Sequence, residues 1–124
     1  MIQDKRFFTG RIKSVGFAVK GACKLVVTEH SIMLQFSIML LMIFAGFYFH
    51  ISRIEWMLQV LAFGLVLGIE GVNTAVEKIA DFIHPEFHDR IGFIKDIAAG
   101  AVLFAAGSAL TVGALIYVPK LFNL

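Results

Sequence analysis

Residues 32–48 read IMLQFSIMLLMIFAGFY, an apolar run in which only Gln35 and Ser37 are polar. A run of roughly 17–25 such residues is what a helix needs to cross a hydrocarbon layer of about 30 Å. The rest of the chain agrees with this reading. Of its 124 residues 59% are hydrophobic and its mean hydropathy is +0.85, whereas soluble domains hold roughly 45–50% apolar residues. The bilayer is therefore the expected solvent, and a few spans use up most of the chain. Residues 1–124 are expected to form a single domain with no separate soluble catalytic unit. So small a bundle has few walls of its own, which points to a homo-oligomer with clefts between copies. Cys23 is the sole cysteine, which excludes an intrachain disulfide and a cysteine-based zinc cluster.

Outward from this run, three spans are expected at about 32–50, 54–83 and 97–118. His84-Pro85 ends the second, because the residue before a proline is pushed out of the helical region. The polar stretch Glu86 to Asp96 then leads to the third, closed at Pro119-Lys120. Residues about 6–29 read as a surface helix: Arg6, Lys13, Lys20 and Lys24 project within about 20° of one line, with Phe8, Ile12, Val15 and Val19 on the other side. Arg11 projects among the apolar residues and is expected to face protein or a bound anion. Of the eleven basic residues, nine precede the first span or lie at the loop between the second and third, and only Arg53 and Lys120 lie opposite. This asymmetry places the N-terminus in the cytoplasm and the C-terminus outside. Charges continue from Asp4 to Lys24, so no secretory leader is expected.

Chemistry concentrates in residues 70–81, EGVNTAVEKIAD. Glu70, Glu77 and Asp81 project within about 40° of one another, with Asn73 on the same side. Ionisable groups at membrane depth are costly and by default mark a functional site. Clustered carboxylates repel unless a cation intervenes, and oxygen ligands suit a hard ion such as Mg²⁺. Mg²⁺ is commonly held by one or two carboxylates together with substrate phosphates, so a metal-nucleotide site is the natural reading. A rise of ~1.5 Å per residue puts Glu70 about 22 Å along the helix from Glu55, toward the cytoplasmic edge of the hydrocarbon. There it is placed to accept a proton from a lipid alcohol, with nucleotide closer to the cytoplasm. Lys95 and Asp96 open the third span at that level, and Glu29 stands beside it as a further metal ligand. No GxxxxGK[ST] loop and no kinase glycine loop is present. His84 and His88 read as loop residues, since Pro85 interrupts the helical spacing a metal pair needs. The small residues Ala101, Ala105, Ala109 and Gly113, and Gly64, Gly68 and Gly71, read as packing ridges. The rival reading is a small proton-coupled transporter that uses the same intramembrane carboxylates.

These residues resemble the small bacterial integral-membrane lipid kinases, the diacylglycerol kinase and undecaprenol kinase family. The resemblance rests on Glu70-Gly71-Val72-Asn73-Thr74-Ala75-Val76-Glu77 with Asp81, and on Lys95-Asp96-Ile97-Ala98-Ala99-Gly100-Ala101-Val102. Arg11, the stretch from Gly16 to Gly21, and Glu29 match as well. It implies an all-α membrane protein, an N-terminal amphipathic surface helix plus three transmembrane helices assembling as a homotrimer with composite sites between subunits. It further implies ATP with Mg²⁺ as phosphate donor and a membrane lipid alcohol as acceptor. In that family the residue matching Glu70 is the proposed general base, and those matching Glu29 and Glu77 hold the metal. The positions of Arg11, Asn73, Asp81, Lys95 and Asp96 surround nucleotide and catalytic centre. Ser31 and Met33 stand where many relatives have Asn and Arg, and Gln35 where some diacylglycerol kinases have an acid.

Overall fold

The computed structural model describes residues 2–124. Among them every regular element is an α-helix, with α1 at Ile2–Thr28, α2 at His30–Tyr48, α3 at Arg53–Ile83 and α4 at Asp89–Leu121. By length and composition α2, α3 and α4 each suffice to cross a membrane. In a hydrocarbon solvent every backbone amide must be paired within the chain, and helices meet that demand segment by segment.

The break between α1 and α2 is one residue wide. Glu29 has extended angles, φ −103° and ψ 118°, yet its N–H still reaches the Leu25 carbonyl at 3.1 Å and its own carbonyl accepts from Met33 at 2.9 Å. The path bends while the backbone stays bonded on both sides. From residue 3 to 20 α1 is exposed, and only near its end do Gly21, Leu25 and Val26 become half-buried. A Cβ added at Gly71 would lie 3.0 Å from the Leu25 methyl, so the end of α1 is seated against α3 next to Glu70.

At the opposite end of the bundle His50 adopts a left-handed φ of 51° and the chain turns into α3. Ser52 and Glu55 close a reciprocal capping box, the Ser52 N–H donating to Glu55 at 2.9 Å and the Glu55 N–H to the serine hydroxyl at 3.1 Å. This satisfies two donors that a helix start leaves free. The other Glu55 oxygen accepts from Lys120 at 3.0 Å, which ties the first turn of α3 to the last of α4. Ile51, Ile116 and Tyr117 form the buried core here, with Met42, Phe49 and Trp56 against it. Gln59 Nε2 and the Tyr117 hydroxyl both donate to the Met42 carbonyl, at 3.3 and 3.2 Å, and the hydroxyl also meets the Gln59 carbonyl oxygen. One polar knot thus joins α2, α3 and α4.

Two expectations change. The third span is part of a longer helix: α4 starts at Asp89 because His88 caps it, Nδ1 accepting from the Arg90 N–H at 3.1 Å. Lys95 and Asp96 therefore sit within a helix, and at the other end the helix winds past Pro119 to Leu121. The second change concerns which face of α3 packs. Gly64 and Gly68 have no neighbouring atoms within 4 Å of where a Cβ would be, while Gln59, Val66, Glu70, Asn73, Thr74 and Ala80 are buried. Glu70 and Asn73 of the acidic stripe are turned inward while Glu77 and Asp81 stay exposed, and of the glycine stripe Gly64 and Gly68 are open while Gly71 meets Leu25.

Candidate active site

Burial divides the stripe along its length. Glu70 and Asn73 are 8% and 9% exposed, whereas Glu77 and Asp81 lie open. Thr74, also buried, spends its hydroxyl on the backbone carbonyl of Glu70 at 3.1 Å, one helical turn back. The Glu70 side chain gains nothing from it, and its Oε2 is buried without a hydrogen-bond partner. Asn73 Oδ1 is in the same condition, while its Nδ2 donates to Glu77 Oε1 at 3.3 Å. Buried polar atoms are nearly always paired, so such orphans mark places where a donor or cation belongs.

Lysines cover two of the remaining acids. Lys95 Nζ of α4 donates to Asp81 Oδ1 of α3 at 2.6 Å, joining the end of α3 to the start of α4. Lys78 Nζ lies 3.2 Å from Glu29 Oε1, which ties the residue at the α1–α2 break to the turn of α3 that carries Glu77. Asp96 follows Lys95 and is exposed. Arg11 stands apart: its guanidinium lies 5.1 Å from the centre of the Phe7 ring on its own helix. Contacts therefore join Asn73 to Glu77, Lys95 to Asp81 and Glu29 to Lys78 along the last turns of α3, with Glu70 buried one turn before them and Arg11 outside.

Among the described residues no three His, Cys, Asp or Glu side chains converge as a ready metal cage. Mg²⁺ does not require one, since it retains water and takes phosphate oxygens alongside one or two carboxylates. Glu29, Glu77 and the orphaned Asn73 oxygen are hard oxygen donors of the kind it prefers, so the residues present fit the ion. Leading away from Glu70 toward the other end of the bundle, a cleft of about 520 Å³ lies between α2, α3 and α4, its walls including Gln35, Met42, Leu67 and Gly113. Gln35 Oε1 on its wall is buried and unpartnered. Thr74 and Lys78 lie outside the set of site residues expected from the sequence. Thr74 lies next to Asn73 on the same face, a signal that periodicity carried, while the role of Lys78 depends on the bend at Glu29 and had none.

The bundle thus sets a buried, unpartnered carboxylate near an apolar cleft, with charged pairs toward the adjoining helix ends. Residues 16–117 match the sequence model of the family described as prokaryotic diacylglycerol kinase, and the chain belongs to that family. It is 34% identical over 116 residues to the undecaprenol kinase of Bacillus subtilis (strain 168), covering 94% of this chain and 91% of that one. It is 30% identical over 105 residues to the diacylglycerol kinase of Escherichia coli (strain K12), covering 85% and 86%. Against the diacylglycerol kinase of Synechocystis sp. the identity is 37% over 76 residues, 60% of this chain and 43% of the other. The protein is a membrane-embedded lipid phosphotransferase.

Proposed function

We propose that the protein transfers the γ-phosphoryl group of ATP, in the presence of Mg²⁺, to the hydroxyl of diacylglycerol or undecaprenol. In this reading Glu70 takes the proton of the lipid hydroxyl as its oxygen bonds to the γ-phosphorus, the bond from that phosphorus to the β-γ bridging oxygen breaks, and ADP departs. The buried, unpartnered Oε2 of Glu70 carries the proposal, because it is an acceptor open to an incoming donor. Glu29 and Glu77 are the assigned holders of Mg²⁺, and Asn73 fixes Glu77 through its 3.3 Å hydrogen bond. Mg²⁺, when bound, neutralises phosphate charge and aligns the transferring group. Lys95, braced by Asp81, supplies positive charge to the phosphates, with Asp96 and Arg11 as further support. Phosphoryl transfer asks chiefly for positioning and charge neutralisation, which a bundle of this size is able to provide.

The proposal includes a homotrimer in which Gly64, Gly68 and the exposed length of α1 meet other copies or lipid, and in which Arg11 reaches a neighbour's site. It also places the protein in the bacterial inner membrane with the N-terminus cytoplasmic and the C-terminus outside, supported by the excess of Lys and Arg on the stripe's side. Incubation of purified protein with radiolabelled ATP and, side by side, diacylglycerol and undecaprenol tests the activity and names the acceptor. Labelled lipid in neither reaction would refute it.

A further inference from the structure

Glu29 is aimed by backbone that belongs to no helix, and one lysine holds it in place. Lys78 follows Glu77 on α3, and its ammonium sits 3.2 Å from Glu29 Oε1, the lysine side chain 70% and the glutamate side chain 28% exposed. We propose that Lys78 is a positioning residue that draws Glu29 onto α3 and is the cation a divalent ion displaces there; the inference rests on the assignment of Glu29 and Glu77 to the ion. Two carboxylates drawn to one level of a helix repel unless a cation lies between them. In the absence of a divalent ion, Lys78 is the cation in contact with Glu29. A Mg²⁺ ion binds oxygen at about 2.0–2.1 Å, and an ammonium on the same oxygen would face it as a like charge. The two are alternatives. Because the lysine is mostly exposed, on a flexible four-carbon stem, it swings away into solvent when the ion arrives. Glu29 has by then been brought to the turn of α3 that carries Glu77.

Competition has a sign that a purely structural ion pair lacks: removing Lys78 strengthens ion binding. An exposed pair shifts an equilibrium constant by roughly 1.5- to 5-fold, which sets the size expected. The experiment is a titration of the purified full-length protein in lipid nanodiscs with Mn²⁺ alone, with free Mn²⁺ read by its paramagnetic resonance signal. Lys78→Met is expected to bind Mn²⁺ about 2- to 5-fold more tightly than wild type, Lys78→Arg to bind as wild type, and Glu29→Gln to bind more weakly. Lys13→Met, which removes a charge far along α1, is expected to change nothing. Unchanged or weakened binding in Lys78→Met, with Glu29→Gln still weakened, would overturn the role of Lys78 and leave the ion at Glu29. Wild-type affinity in Glu29→Gln would overturn this inference and the ion assignment together.

Discussion

Lys95 and Asp81, fourteen positions apart on two different helices, meet at 2.6 Å. The pair is exposed enough, at 38% and 61%, that its contribution to stability is expected to be at most about 1 kcal/mol. Its value lies in where it holds the ammonium. Lys95→Met is therefore expected to raise the KM for ATP about tenfold or more, with a thermal midpoint close to wild type. Exchanging the two residues, Asp81→Lys with Lys95→Asp, keeps the helix contact but moves the charge. That double variant should unfold like wild type and still fail to phosphorylate lipid; recovered turnover would show that the pair acts only as a clasp.

Asn73 joins the buried and open halves of the stripe through its bond to Glu77. Asn73→Asp removes the donor and sets a new carboxylate against Glu77. Turnover should fall by at least about tenfold, and the Mg²⁺ concentration giving half-maximal rate should rise, because Glu77 loses the group that fixes it. A rate that depends on Mg²⁺ as in wild type would contradict that role.

Trp56 packs over Gly46 so closely that a Cβ there would lie 2.6 Å from the indole ring. A rigid ring in a packed core has little room to yield, and overpacking of this kind costs about 1–3 kcal/mol. Gly46→Ala should lower the unfolding midpoint and shift the fluorescence of the sole tryptophan, while the KM for ATP stays as in wild type, since the contact lies at the far end of the bundle from Glu70.

Tyr117→Phe leaves the Gln59 carbonyl oxygen without its hydroxyl partner and removes one of the two donors to the Met42 carbonyl. Hydrogen bonds between membrane helices average about 0.6 kcal/mol, so a small loss of stability in denaturant titration is expected. A loss of several kcal/mol would mean that the knot organises the whole bundle.

How much of this was legible beforehand follows from what each residue depends on. The apolar run 32–48 and the ones after it announce three spans because solvent alone dictates them. The spacing of Glu70, Asn73, Glu77 and Asp81 was equally plain, being a property of one helix. Which way that stripe faced was not. A projection fixes angles between side chains but not the neighbour they meet, and the structure turns Glu70 and Asn73 inward while Gly64 and Gly68 stay open. The early start of α4 escaped because a histidine cap is an uncommon signal beside Ser, Thr, Asp or Asn. Lys78 escaped because its partner lies across a backbone bend that no periodicity encodes.

Glu70 offers the most direct test of the mechanism. Glu70→Gln keeps the shape and removes the base, and the decisive measurement is radiolabelled phosphate incorporated into lipid by that variant beside wild type, with ATP binding followed in parallel. Loss of a positioned base is worth about 10²- to 10⁴-fold; the expected result is a fall of that order in labelled lipid with ATP affinity retained. Labelled lipid at the wild-type rate would contradict the mechanism proposed for this enzyme.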